Sequence, residues 1–425
     1  MKVLWMDKMY REATIYQKFV CSSPGLLRKI FSSSASFAIL IALYGCLEPI
    51  EPETVGFDDL LVVEGLITDR PVKQKVTLSR TIPLGGEDTI RRMEEDATVW
   101  IVDQSGNTID FFEEEQGIYM TRDAYAGEIG GTFQLFIQTI NGNNYESEVV
   151  SMLPTPPVDS IYAEFEPSPT SGNARGGFFN FFIDARNNPQ QNQYYRWTWN
   201  STFELTVPNP SRWLWIGGND VIIREVGSEN DDLQVELCWN TEYGTSVILQ
   251  ELLIPSAGVI KLPILSFHSD SRRMRIGYSL EVKQYALSRA SFEYWNAIAE
   301  STQEQGSLFD TQVGTITGNI RNVNDDREIV LGIFEASQEM SLRRQYHPLE
   351  FGKAGFSRIS TNFVQCSDIE PIISGVDEIG KTMEERGDAV ILTFFVTAPP
   401  SAYYYPPICA DCTLYGDNKR PSFWE

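Results

Sequence analysis

Between Leu60 and Met152 the chain repeats one pattern: short runs of β-branched and aromatic residues, each stopped by a turn signal. Ala97-Thr98-Val99-Trp100-Ile101-Val102 and Thr132-Phe133-Gln134-Leu135-Phe136-Ile137-Gln138 alternate in part between apolar and polar positions. Asp103-Gln104-Ser105-Gly106-Asn107 and Asn141-Gly142 are turn formers. Successive side chains of a strand point to opposite faces, so such runs suit a sheet with one face buried, and no helical period competes with them. Turn signals roughly every ten residues predict a β-sandwich over residues 60–152.

The order Ala97-x-Val99-x-Ile101, Gly117-Ile118-Tyr119, Gly131-Thr132-Phe133-x-Leu135 and Gly142-x-x-Tyr145 is similar to transthyretin-like or carboxypeptidase-regulatory-like modules, which makes the expected sandwich Ig-like/transthyretin-like, a resemblance of fold and not of function. Leu153-Pro154-Thr155-Pro156-Pro157 reads as a stiff extended linker. Residues 158–425 then read as a larger β-rich domain, with strands expected at 177–184, 194–207, 233–239, 246–254, 259–267, 274–284, 314–322 and 328–336. One segment breaks the pattern. Phe292, Trp295 and Ile298/Ala299 recur at helical spacing behind Ser288 and Ser291, either of which could cap the start, so one amphipathic helix is expected to pack this aromatic stripe on the sheet. The fold class is therefore mainly β. Beyond about residue 398 the chain is rich in Pro and Tyr and short of strand pattern, and the aromatic end, Phe423 and Trp424, should dock on the body because leaving it in water is costly.

The first 45 residues read differently. Lys2, Lys8, Arg11, Lys18, Arg28 and Lys29 precede an apolar stretch at 30–43 that is interrupted by four serines. A spanning helix needs about 20 mostly apolar residues, so this is a basic region and short apolar core of a signal peptide. Leu43-Tyr44-Gly45-Cys46 resembles a lipobox, which makes Cys46 the expected site of lipidation and the N-terminus after cleavage at 1–45. Met9 offers an internal start for this long leader. Residues 46–59 form a proline-spaced acidic tether, with Glu48, Glu51 and Glu53 similar to a surface-export signal. Acyl chains add about 0.8 kcal/mol per buried methylene, so more than one of them anchors stably.

The full chain carries a net charge of −24, and removing the leader with its six Lys/Arg and two Asp/Glu takes this to −28. Nucleic acid and anionic membrane surfaces are poor partners for such a field. Cys238, Cys366, Cys409 and Cys412 make an even set that suits disulfides outside the cytoplasm, with three pairings open. Zinc is the weaker alternative, since only His268 and His347 accompany them and no metal or cofactor is expected.

No Gly-x-Ser-x-Gly elbow and no histidine motif is present, which disfavours a hydrolase. The runs Glu113-Glu114-Glu115, Asp231-Asp232 and Asp325-Asp326 suit solvated faces better than paired catalytic carboxylates, and calcium at Asn322–Asp326 would lack a regular ligand loop. Trp213 and Trp215, in a segment bounded by prolines and by Gly217-Gly218, are candidates to contact a ligand or partner; residues two apart on a strand also share a face and can simply fill a core.

The helix at 288–300 with Gly306-Ser307-Leu308-Phe309-Asp310, Gly318-Asn319-Ile320, Val330-Leu331-Gly332-Ile333-Phe334, Cys409-Ala410-Asp411-Cys412 and Pro421-Ser422-Phe423-Trp424 resembles domain-of-unknown-function family 4249 over nearly all of the mature chain. Ile333 departs from the family's aromatic at that position. The glycines and Asn319 are expected to serve backbone geometry. The resemblance implies an outer-membrane lipoprotein of Bacteroidota, found beside a TonB-dependent transporter and working with it in nutrient uptake, without established catalytic residues. A structural or adhesive surface module is the alternative from another class, and an extracellular hydrolase trails both.

Overall fold

The computed structural model describes residues 59–82, 92–168, 176–186, 194–210, 213–217, 220–223, 235–252, 259–269, 271–303, 316–351, 366, 372–386, 390–395, 401–406 and 409–424. The leader, Cys46, most of the tether, Gly306–Asp310 and Asp231-Asp232 lie outside these residues.

The chain is mainly β, as its strand patterning requires. The first nine strands are β1 (Leu61–Ile67), β2 (Lys75–Arg80), β3 (Arg92–Met93), β4 (Thr98–Asp103), β5 (Thr108–Glu115), β6 (Ile118–Thr121), β7 (Thr132–Gln138), β8 (Asn144–Ser147) and β9 (Val150–Ser151). The middle of the chain forms β10 (Val158–Pro167), β11 (Gly177–Arg186), β12 (Tyr194–Thr206), β13 (Trp213–Gly217), β14 (Asp220–Ile223), β15 (Leu237–Tyr243), β16 (Ile248–Glu251), β17 (Val259–His268) and β18 (Tyr278–Leu287). Helix α1 (Arg289–Gln303) is followed by β19 (Ile320–Asn322), β20 (Leu331–Ala336) and β21 (Glu339–Tyr346), and then by β22 (Ile372–Gly375), α2 (Ile379–Arg386), β23 (Val390–Phe395) and β24 (Ser401–Tyr405).

Among the described residues the first sheet runs β19-β8-β7-β4-β5-β6-β2-β1-β20, with β3 on β2 and β9 on β7. Its two outer strands, β19 and β20, come from one short returning segment far along the sequence. The boundary expected at 153–157 is therefore crossed again: residues 317–336, read from sequence as part of the later domain, complete the earlier sheet. The physical reason is that β1 needs a partner on its free edge, and β20 supplies it in parallel, Val62 opposite Leu331 through Ile67 opposite Ala336. Leu61, Val63, Val76, Leu78, Val99, Ile101, Leu135, Ile137 and Phe334 fill the nearly closed interior.

Where β19 and β20 meet, hydrogen bonds from a side chain replace strand pairing. The Asn319 amide donates to the Phe334 carbonyl (2.8 Å) and accepts from the Phe334 N–H (2.9 Å), so it acts as a peptide group in the seam. Gly318 lets this segment approach, since a Cβ there would lie 1.6 Å from the Gly332 carbonyl oxygen. The backbone role expected for Gly318 and Asn319 is the one they play.

A second body pairs β15-β12-β18-β21, with β16 on β12, beside a three-stranded sheet β10-β11-β17. Its core is aromatic: Phe179 and Phe181 of β11 meet Phe267, Tyr278, Tyr346 and Phe351. Trp197 is fully buried and its Nε1 donates to Gln284 (2.8 Å), so it is a core residue.

The C-terminal region is more regular than its sequence suggests. β22, β24 and β23 form a small sheet on which Ile379 of α2 packs, because Ala402 and Tyr404 share one buried face inside a run of tyrosines that hides the alternation. Two disulfides hold it, Cys238–Cys412 and Cys366–Cys409. The first ties β15 to the last turn, and Trp239 and Asp417 exchange backbone bonds beside it. A bridge between residues so far apart in sequence removes much of the unfolded chain's freedom, typically contributing about 2–5 kcal/mol. The aromatic end docks: Phe423 lies under the Arg343 guanidinium, 3.7 Å from the ring centre, and its carbonyl accepts from Gln345 (2.7 Å).

Candidate functional site

The site begins where two neighbouring strands part. β8 and β19 pair from Tyr145 opposite Asn322 to Ser147 opposite Ile320, and Glu148 N–H still donates to the Asn319 carbonyl (2.8 Å). Beyond that point residues 150–151 follow β7, while Thr317 turns to Leu331 of β20. The gap between them opens into a cleft of about 950 Å³.

Helix α1 covers the gap. Ser288 caps it, its Oγ accepting from the Ser291 N–H (3.0 Å), which spares one of the orphan donors of the first turn. Its aromatic stripe packs on the second body as expected, Phe292 against Tyr194 with ring centres 4.8 Å apart. Another face, with Ala290, Tyr294 and Ala297, lines the cleft, and the small side chains leave room. Burial raises the Tyr294 phenol to about 12, with the Glu64 and Glu335 carboxylates adding to the rise, so it is a neutral hydroxyl at ordinary pH.

Glu335 lies on the cleft floor and is only 4% exposed. Its Oε2 is 3.0 Å from Arg196 Nη2 and accepts from Trp295 Nε1 at 3.0 Å. The Arg196 guanidinium is stacked over Trp295 at 4.3 Å and lies 5.3 Å from the Tyr285 ring centre, so three elements, β12, α1 and β20, converge on one buried charge pair. Oε1 of Glu335 has no hydrogen-bond partner among the described residues. Nε of Arg196 is likewise buried without a partner among them, so the two unfilled atoms belong to one ion pair and both are closed to solvent.

The residues singled out from sequence lie elsewhere. Trp213 and Trp215 sit on β13, which pairs with β14 as a hairpin; Trp215 is half-buried against Ile379, Ala402 and Tyr404, while the side chain of Trp213 is outside the described positions. Several of the oxygens considered for calcium are engaged: Asn322 Oδ1 accepts from Asn324 N–H (2.6 Å) and Asp325 N–H (3.2 Å), Asn324 Oδ1 from Asn144 N–H (2.7 Å), and Asp325 Oδ1 from Arg327 N–H (3.0 Å). Among the described residues no group of three His, Cys, Asp or Glu side chains is placed to hold a metal ion. Arg196 and Glu335 escaped notice because each is one charge among aromatic and apolar neighbours, Tyr-Tyr-Arg-Trp and Ile-Phe-Glu-Ala. Such lone charges at buried strand positions were the available signal.

No curated protein matches the chain. Among solved structures, a DUF4785 family protein of Legionella pneumophila is 12% identical, covering 53% of this chain and 52% of its own, with a TM-score of 0.16. The chain thus spans about half the length of that structure, and a likeness this slight informs neither fold nor function. The family model described as "Domain of unknown function (DUF4249)" matches residues 47–343, which takes in the whole nearly closed sheet, α1 and every residue of the cleft. On that match the chain belongs to the DUF4249 family.

Proposed function

We propose that the mature chain is a lipid-anchored accessory or ligand-capture subunit of the bacterial outer membrane, without enzymatic activity of its own, that works with a TonB-dependent transporter in nutrient uptake. The observation that carries this reading is the step Gly45-Cys46 at the end of a short apolar stretch behind a basic segment, followed by a proline-spaced acidic leash. Family membership and a cleft whose polar groups suit binding support it. The Arg196–Glu335 pair is locked by Trp295 and held from water, which suits recognition better than proton transfer.

Replacing Cys46 with alanine should abolish labelling by a fatty-acid probe and shift the chain from the membrane to the soluble fraction. Among the described residues no helix is long and apolar enough to cross a membrane, so none of those helices would retain the unlipidated chain there. Labelling at wild-type level in the Cys46→Ala variant would defeat the lipid-anchor reading. Protease added to intact cells should reach the body of the wild-type protein, and full protection would place it on the inner leaflet.

A further inference from the structure

The cleft's lining narrows its ligand. Glu148, Glu293 and Glu335 are its ionisable carboxylates, and no Lys or Arg of the described residues lines it, so an anion would enter a field of the wrong sign. A cation gains less than that count suggests. Glu335 is already neutralised by Arg196, and Glu293 is paired with Arg289 at 2.8 Å. What remains for a ligand is the set of neutral hydroxyls on the lining, which call for an uncharged partner carrying donors and acceptors.

An extended peptide is disfavoured for a different reason. A strand added at this edge needs free backbone groups, and those at the rim are taken: Phe334 N–H and carbonyl by Asn319, Glu148 N–H by the Asn319 carbonyl, Met152 N–H by Gly131, and Gln338 N–H by the Leu153 carbonyl (3.1 Å). Of the polar side chains, the Asn319 amide is engaged by Phe334, Ser288 by Ser291 and Ser337 by the Ala286 carbonyl, which leaves Ser151, Thr317 and the Tyr294 phenol among alanines and aliphatic groups. Hydroxyls offer donors and acceptors at once and match such a lining without a desolvated charge.

We infer that the cleft between α1 and the seam of the first sheet binds a neutral polyhydroxylated ligand, a saccharide of two to four rings, with a ring lying against Tyr294 and its hydroxyls bonded to the Tyr294 phenol and to Ser151 and Thr317. The volume of about 950 Å³ is at the upper end for a small-molecule site. This assignment deepens the capture-subunit reading and rests on it for its place in uptake, although binding itself can be measured apart from any transporter.

The test uses the full lipidated chain, extracted in mild detergent, on an array of neutral di- to tetrasaccharides with their uronate and amino-sugar counterparts. Neutral glycans should bind in preference to both counterparts. Ala297→Trp, which fills the cleft from the helix side, should abolish binding, and Tyr294→Phe, which keeps the ring and the fold, should weaken it by about threefold to tenfold through loss of one hydrogen bond. Unchanged thermal unfolding of both variants, and unchanged co-purification of a transporter, keep the loss specific to the cleft. Stronger binding of uronates or amino sugars, binding indifferent to Ala297→Trp, or no neutral glycan retained above the Ala297→Trp level would each overturn the assignment. Glycan binding without any transporter would instead leave the cleft standing and remove the transporter reading alone.

Discussion

Gly332→Ala should destabilise the protein several times more than Gly130→Ala, although both glycines have left-handed backbones, with φ of +93° and +84°. At Gly130 a Cβ would meet nothing within 4 Å, so the loss is the conformational penalty alone, about 1–2 kcal/mol. At Gly332 a Cβ would lie 1.9 Å from the Val63 carbonyl oxygen and 2.7 Å from its carbonyl carbon and its nitrogen. Those atoms belong to the register partner of Gly332 in the parallel β1–β20 pair, and they cannot move without opening it. The same position is crowded from the other side, where Gly318 abuts the Gly332 carbonyl and Asn319 clasps Phe334. A loss on the order of 4 kcal/mol or more is expected, in the range reserved for backbone conflict in a core. Urea unfolding of the two variants, followed by circular dichroism, checks this, and equal losses at the two positions would contradict the seam as described.

The second large effect is at Arg196. Arg196→Met keeps most of the side chain's length and apolar stem but leaves the Glu335 carboxylate in a nearly dry site without its counter-charge. It also removes the cation stacked over Trp295. Breaking a buried pair from one side typically costs about 3–5 kcal/mol, because the remaining charge has no solvent to return to. Replacing both partners, Arg196→Met with Glu335→Leu, removes the stranded charge and should recover a good part of that loss, even though Trp295 Nε1 then loses its acceptor. A double-mutant cycle in thermal or denaturant unfolding reads the coupling directly. A double variant less stable than Arg196→Met alone would mean that Glu335 does not depend on Arg196. Since β12, α1 and β20 meet at this pair, the single variant should also distort the cleft.

Much of this architecture could be read from residue order, for reasons that differ by element. The runs around Val99–Val102 and Phe133–Gln138 formed strands because β-branched and aromatic side chains on one face had a core to fill, and they became β4 and β7. Ser288 announced α1 through local capping chemistry that needs no distant contact. Strand ends drifted where packing decides: the stretch expected at 274–284 became Tyr278–Leu287, and 233–239 became Leu237–Tyr243. What stayed hidden is non-local. Nothing within Leu331–Ala336 says that it pairs with Leu61–Ile67, because parallel pairing between strands so distant leaves no turn signal between them. The pairing of Cys409 with Cys366 and of Cys412 with Cys238 is hidden likewise, as two cysteines three positions apart part company to different elements. The cleft is the clearest case, since it is made by two strands parting and by one carboxylate whose partner lies on another sheet.

On the proposed reading, the cleft and the lipidation expected at Cys46 together make the chain a capture subunit that works with a transporter. The competing idea of a structural or adhesive module predicts different company for the chain in the membrane. Gentle detergent extraction of cells carrying the affinity-tagged full chain, followed by pull-down and mass spectrometry, separates the two. The account predicts recovery of a β-barrel TonB-dependent transporter in amounts comparable with the bait, lost when Cys46 is replaced by alanine. Recovery only of matrix or envelope polymers, with no transporter enriched over an unrelated lipoprotein, would contradict it.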